Sequence, residues 1–426
     1  MVLNYIWISF LLLGFVFALG TGIFLGDWSG FPKMRDATFD LAKLGFEIAL
    51  GLTAVMSLWL GVMKVGEKGG AVRILARIVG PLFCRLFPGV PAGHPAMGSI
   101  LMNFSANMLG LDNAATPLGL KAMRDLQELN EEKDRASDSM IMFLVLNTSG
   151  LTVIPVSVMA LRATAGAANP ADVFIPILLT TACSSLAGLA LVSLIQRINL
   201  FRPVVLAYLG GLVAMLGGFA YLVTRLPNMP SEQEIAAGAV IPPMTVESAT
   251  DMVGAVIIIS VIVGFVTLAA VRRVDVYQTF IDGAKQGFQT AVMIIPYLVA
   301  MLVAIGIFRA SGAMSLLVSG VEKVVRMTGL DTGFVEALPT ALMKPLSGGG
   351  ARGMAVEAMN THGADSFVGQ LACTFQGSTE TTFYTLAVYF GAVGIARTRY
   401  AAGAGLFADF AAMLAAIFFA YLFFGG

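Results

Sequence analysis

The sequence predicts an all-α polytopic membrane protein of about nine transmembrane helices plus two re-entrant hairpins, arranged as an inverted repeat. Three observations predict it. The 426 residues are 57% hydrophobic and 12% charged, whereas soluble domains carry roughly 25% charged residues. Apolar stretches of about 20 residues, the length that crosses a bilayer core, recur along the whole chain. Two of the long apolar segments are interrupted centrally by polar runs, Asn147-Thr148-Ser149-Gly150 and Gln376-Gly377-Ser378-Thr379-Glu380, in matching places. Lipid offers no hydrogen bonds, so backbone that leaves a helix at bilayer depth must line a cavity or pack against protein.

Taken in order, the first span is 5–26. No basic region precedes it and it is long enough to cross, which argues against a cleaved signal peptide. A second span follows at 47–66. Residues 70–87, with Arg73, Arg77 and Arg85, read as a basic amphipathic helix lying along the interface. The stretch 95–123 is apolar but broken by Gly and Pro, so it is assigned as a re-entrant hairpin. The first broken span is 138–162, followed by spans at 171–195 and 203–224. The connection 225–247 contains Pro227, Pro230, Pro242 and Pro243 and is too short to hold a core. Spans at 250–271 and 287–308 lead into a second amphipathic segment, 313–328, with Lys323 and Arg326. A second hairpin at 334–359, the broken span 366–394 and a last span at 401–424 complete the chain.

The same order of elements thus occurs twice, once in each half of the chain. Thr38-Phe39 and Gly45-Phe46 match Thr279-Phe280 and Gly287-Phe288; Ala122-Met123 matches Ala358-Met359, and Asp138-Ser139 matches Asp365-Ser366. An odd number of crossings separates the span at 47–66 from its counterpart at 287–308, so the second copy enters from the opposite face. Such inversion is common in secondary transporters. Alternate loops place the larger share of the 26 Lys and Arg on the side of the amino terminus. The positive-inside rule then makes the amino terminus cytoplasmic and the carboxyl terminus external.

Net charge is zero, which gives no support to nucleic-acid binding. Cys84, Cys183 and Cys373 are odd in number and widely spaced, and read as small apolar filler. No Ser-His-Asp, Cys-His or paired-carboxylate constellation supports an enzyme, and no cofactor or metal motif appears. His94 and His362 flank the hairpins as surface residues. Chemistry concentrates in the hairpins and breaks. Asn103, Asn107, Asn113 and Thr116 in the first hairpin can hydrogen-bond a polar solute or cap the hairpin itself. Lys344, Ser347 and Arg352 flank a Gly348-Gly349-Gly350 run in the second. Two cations in a re-entrant element are paired or functional: they bind an anionic group, or they pair with Glu357, Glu336 or Asp112. The glycine run lacks the Gly-Lys-Ser/Thr ending of a nucleotide loop. Asn147, Thr148, Ser149, Gln376, Ser378, Thr379 and Glu380 complete the candidate site, with helix amino termini at Ser149-Gly150 and Thr379-Glu380 favouring solute oxygens. Glu380, Asp409 and Asp112 are candidates for coupling to an ion, Na+ or H+, because intramembrane carboxylates mark ion pathways or ion pairs.

His94-Pro95-Ala96-Met97-Gly98, Asn103 to Pro117 and Asn147-Thr148-Ser149 make the first part of the chain resemble bacterial spore maturation protein A. Ile295-Pro296-Tyr297-Leu298-Val299-Ala300-Met301, Lys344 to Gly353 and Gln376 to Tyr384 make the second resemble spore maturation protein B. The resemblance implies a natural fusion of the two, at 1–197 and 198–426, each part holding a nucleoside-recognition or Gate domain similar to those of concentrative nucleoside transporters. In those transporters, hairpins and unwound helices hold a solute and a coupling cation. The expected function is therefore an inner-membrane transporter of a small polar or anionic solute, nucleoside-like solutes included, working by alternating access. Its partners are the bilayer, the solute and a coupling ion, with homo-oligomers compatible. Two alternatives stand beside it: a non-transporting scaffold or regulator of cell-envelope or spore maturation, and a passive channel.

Overall fold

The computed structural model describes residues 2–91, 93–110, 112–225, 246–329 and 331–425. The side chains of Asp112 and Asn113, and those of the 225–247 connection, lie outside the described residues. The described chain is all helical. In order, it forms α1 (Val2–Leu25), α2 (Gly30–Gly69), α3 (Ala71–Leu86), α4 (Pro95–Met108), α5 (Asp112–Glu128), α6 (Asp138–Thr148), α7 (Val156–Thr164), α8 (Phe174–Ile195) and α9 (Pro203–Arg225). It continues with α10 (Val246–Val271), α11 (Val276–Ala310), α12 (Ala313–Met327), a single 3-10 turn at Val335–Ala337, α13 (Leu338–Met343), α14 (Gly348–His362), α15 (Phe367–Gly377), α16 (Thr382–Gly391) and α17 (Ala401–Phe424).

Among the described residues, four helices are long and apolar enough to cross a membrane, or five if one bent pair counts as a span. The expected nine are not reproduced as nine long helices. Each broken span is split into half-helices, with 11 residues in α6, 9 in α7, 11 in α15 and 10 in α16, too short to cross singly. Conversely, the expected 47–66 span is the inner part of the 40-residue α2, and 287–308 belongs to the 35-residue α11. Leu12, Val16, Phe24, Leu194 and Phe418 point outward and exposed, as side chains facing lipid do.

The elements pair off across the repeat. α2 ends at Gly70 with φ 84°, and α11 gives way to α12 at Gly312 with φ 89°. Both sit in the left-handed region that favours glycine, and each turns a long helix into an amphipathic one; the turn at Gly312 bends the path by 72°. Helices α2 and α11 are the central pair. Gly45 packs on Val299, Gly61 on Phe280, and Gly287 on Met56 and Ser57. As residue numbers rise along α2 they fall along α11, so these equivalent helices are antiparallel. α1 crosses to pack on α11, and α10 crosses to pack on α2.

The hairpins form as expected, α4 against α5 and α13 against α14. Gly110, with φ 69°, makes the first tip. Ser137 caps α6 by accepting from Met140 N at 3.3 Å, and Ser366 caps α15 by accepting from Gly369 N at 3.0 Å. These caps fix the register between the copies. They align Ser137 with Ser366, two residues away from the Asp138-Ser139 to Asp365-Ser366 match read from sequence. A shared cap geometry, rather than a shared dipeptide, defines the equivalence.

Candidate functional site

The two broken spans run antiparallel and are tied together at both outer ends. At one end, the connection before α6 meets the connection after α16. Ala136 N donates to Arg397 O at 3.0 Å, and Ala396 N and Arg397 N both donate to Asp134 O at 2.9 Å. Arg397 adds ion pairs to Asp134 at 2.7 Å and Glu132 at 3.1 Å, and Arg399 pairs with Asp138 at 2.7 Å. The Arg397 guanidinium, hydrogen-bonded to Asp134, holds that carboxyl below the usual carboxylate range. At the other end, Arg162 closes α7 and is fully buried. It donates to Ala364 O at 2.6 Å, Asp172 Oδ2 at 2.8 Å and Asp365 Oδ1 at 3.0 Å. Gln370 also donates to Asp172, at 2.8 Å. Burial pushes the Asp172 carboxyl up to about 6, against the pull of Arg162 and Gln370.

Between these clasps the breaks touch. Glu380 N donates to Thr148 O at 2.8 Å, so a backbone group freed in one break satisfies one freed in the other. The first break spans 149–155, with Gly150 at φ 27°, and its helix restarts at Val156 rather than at Ser149-Gly150. The second restarts at Thr382. The expected helix amino termini are therefore displaced along the chain, and Pro155 explains the longer gap: it precedes α7, where its fixed φ and missing N–H suit a helix start.

Each hairpin tip docks on the break of its own copy. Asn107 Nδ2 donates to Asn147 Oδ1 at 2.7 Å, and Val153 N to Met108 O at 2.8 Å. In the second copy Phe383 N donates to Pro345 O at 3.1 Å, and Gln376 Nε2 reaches Gly348 O at 3.4 Å. Two cavities lie against this crossing. One, of about 140 Å³, is lined by Asn107, Lys344, Arg352, Gln376, Thr379 and Glu380, with backbone of Gly110 and Gly150. The other, of about 270 Å³, is lined by Asn107, Thr116, Asn147, Glu380, Tyr384 and Tyr389. Asn107 and Glu380 belong to both and form the wall between them. The first offers cationic donors and the buried Gln376 Oε1, which has no hydrogen-bond partner; the second offers amides, hydroxyls and aromatic faces.

Eight of the candidate residues thus gather at the cavities: Asn107, Thr116, Asn147, Lys344, Arg352, Gln376, Thr379 and Glu380. The other candidates whose side chains are described bond within the protein. Asn103 donates to Ala115 O at 2.8 Å and staples the hairpin limbs. Thr148 bonds Leu144 O, Ser347 caps α14, and Ser378 bonds Phe375 O. Ser149 O accepts from Ser185. Asp409 is buried in α17 against Thr382. Glu357 and Glu336, offered as partners for the hairpin cations, are instead engaged by Arg309 at 2.7 Å and His362 at 2.7 Å; Arg309 lies on α11, which packs against α14, and His362 is the last residue of α14. Sequence reasoning missed Tyr384, Thr385 and Tyr389, which follow the second break on the helix face that meets the first hairpin. It also missed Arg162, whose lone charge at the end of an apolar run was the available signal.

Comparison with known proteins identifies the family. The chain is 41% identical to spore maturation protein A of Bacillus subtilis (strain 168) over 186 residues, 44% of this chain and 91% of that protein. It is 42% identical to spore maturation protein B of the same organism over 165 residues, 39% of this chain and 91% of that protein. No solved structure matches it. The Gate profile, described as nucleoside recognition, matches residues 49–165 and 291–396, which take in both hairpins and both breaks. The chain is a multi-pass membrane protein of the Gate, or nucleoside-recognition, family.

Proposed function

We propose that the protein is an inner-membrane carrier that moves a small polar or anionic solute by alternating access between two inverted Gate-type parts, 1–197 and 198–426. The observation that carries this reading is the contact of the two breaks, Thr148 O with Glu380 N at 2.8 Å, between cavities on either side. Unwound backbone in a membrane is tolerated where it faces protein or water, and paired breaks at a repeat interface are where secondary transporters hold their solutes. Lys344 and Arg352 suit an anionic group; Asn107, Asn147 and Thr116 suit hydroxyls, amides or a ring edge. The family description makes nucleoside-like solutes the first to try. Clasps of different strength at the two ends supply what alternating access requires, two sets of contacts that can open in turn.

Uptake by proteoliposomes tests the reading, with nucleosides, nucleobases, amino acids and dicarboxylates as probes. Saturable uptake that responds to an ion gradient, and that Glu380→Gln and Asn147→Ala abolish without loss of expression or fold, supports it. Absence of flux for every probe, with stable capture of a protein partner, would instead favour a non-transporting role in envelope or spore maturation. The names of the relatives favour that second reading.

A further inference from the structure

Asp409 stands apart from both cavities. Its Oδ2 accepts from the Thr382 hydroxyl at 2.5 Å, while Oδ1 is sealed from solvent and has no hydrogen-bond partner. The residue is 8% exposed. One turn earlier on α17, Gly405 lies directly against Thr382 and Thr148, so the carboxyl sits where the last helix presses on both breaks.

The charges around it are sparse. α6, α8, α15 and α16 all pack against α17. Apart from Asp138 at the outer end of α6, the ionisable side chains on those helices are Cys183, Cys373, Tyr384 and Tyr389. Ser184 of α8 donates to Ala408 O at 3.0 Å, and the Thr379 hydroxyl lies beside the carboxyl. Glu380 faces the cavities. Lys344 of the second hairpin donates nothing to Oδ1. A bare carboxylate with one oxygen unsatisfied is far costlier to bury than a neutral acid, and such groups take up a positive charge instead.

Packing does not require an acid here. In the first copy the corresponding contact joins Thr152, within its break, to Thr181 of α8, with Thr152 N donating to Thr181 Oγ1 at 3.3 Å. Thr181 and Asp409 each lie roughly two turns into the last helix of their copy. A hydroxyl serves at the first position and a carboxyl at the second.

We infer that Asp409 is a proton-binding site, neutral with its proton on Oδ1 while the second break is closed on α17. When α16 parts from α17, Thr382 withdraws its hydrogen bond, water reaches the carboxyl, and the proton passes to that water and leaves a carboxylate. This rests on the carrier reading and deepens it by naming the proton as the coupling ion.

Infrared spectroscopy of the purified full chain in nanodiscs tests the site. The expected result is a carboxylic-acid C=O band that shifts in deuterated buffer, disappears at alkaline pH and is missing from Asp409→Asn. Thr382→Val, which keeps the acid and removes its hydrogen bond, moves the band to higher frequency, and it carries the test if Asp409→Asn does not fold. A band identical in wild type and Asp409→Asn, one unmoved by Thr382→Val, or one displaced by NaCl at constant pH would overturn the proposal. The band can be absent in an active carrier or present in an inactive one, so failure of the site is distinguishable from failure of the carrier reading.

Discussion

At the scale of single residues, the most constrained side chain is Arg162. It is fully buried and bonded to Asp172, Asp365 and Ala364, so Arg162→Met strands a buried carboxylate. Removing one partner of a buried ion pair costs about 3–5 kcal/mol, and chemical denaturation of the purified variant should show a loss of that size. Asp172 gives a pH signature. Its pKa is raised from 3.8 to about 6 by burial, so the folded protein favours the neutral acid. The stability this contributes is fully present below 3.8 and is lost as pH rises through about 6. The thermal midpoint should therefore fall between about pH 4 and pH 6, and Asp172→Asn should shrink that fall; an unchanged slope would show that Asp172 is not the titrating group. Much of the site was legible from residue type alone. Asn, Thr, Lys, Arg and Glu are costly within apolar runs, and Asn107, Asn147, Lys344, Arg352 and Glu380 do reach the cavities. Asn103, Thr148, Ser347 and Ser378 have the same types but bond their own helix or hairpin. Position relative to the tip separates the groups, and sequence does not print it.

At the scale of elements, glycine sets how closely α2 and α11 approach. A Cβ at Gly283 would collide with Leu60 O, and one at Gly287 with Met56 O. Rigid backbone cannot yield as a side-chain tip can. Gly283→Ala and Gly287→Ala should each destabilise by about 1–3 kcal/mol, the usual cost of overpacking. Gly320→Ala on α12, with open space around it, should be neutral or stabilise by up to about 1 kcal/mol through helix propensity. Thermal unfolding of the three variants compares them directly, and equal midpoints would remove the close-packing argument. Element identity was readable from apolar length, whereas the Ser137 and Ser366 caps that set the register between the copies emerged only from the structure. The extent of α2 and α11 was not readable, because their polar outer turns look like loop in composition; nor was the length of the first break, which depends on Pro155 delaying the restart of α7.

At the scale of the whole molecule, the two clasps differ in kind. The Arg397 and Arg399 clasp is largely exposed, with side-chain exposures of 57% and 28% for the two arginines, whereas Arg162 is at 0%. Exposed pairs contribute little and are screened by salt, so the Arg397 end is the one expected to open first. Arg135 and Arg397 face each other as backbone partners, a spacing suited to a disulfide. Arg135→Cys with Arg397→Cys, in a background with Cys84→Ser, should lose solute uptake on oxidation and regain it on reduction; undiminished uptake by the crosslinked protein would show that this end does not open. The inversion itself was foreseeable by counting crossings, but the clasps that join the copies were not, since Asp134, Arg397, Arg162 and Asp365 lie far apart in sequence and carry no shared motif.

If the broken spans cross the bilayer antiparallel, the 131–137 connection and the 165–173 connection lie at opposite membrane faces. Labelling with a membrane-impermeant thiol reagent tests this in sealed vesicles of one orientation, using Glu131→Cys and Ala168→Cys, both exposed, in a background lacking Cys84. The account predicts that one cysteine reacts from outside and the other only after the vesicles are opened; reaction of both from the same side would contradict it.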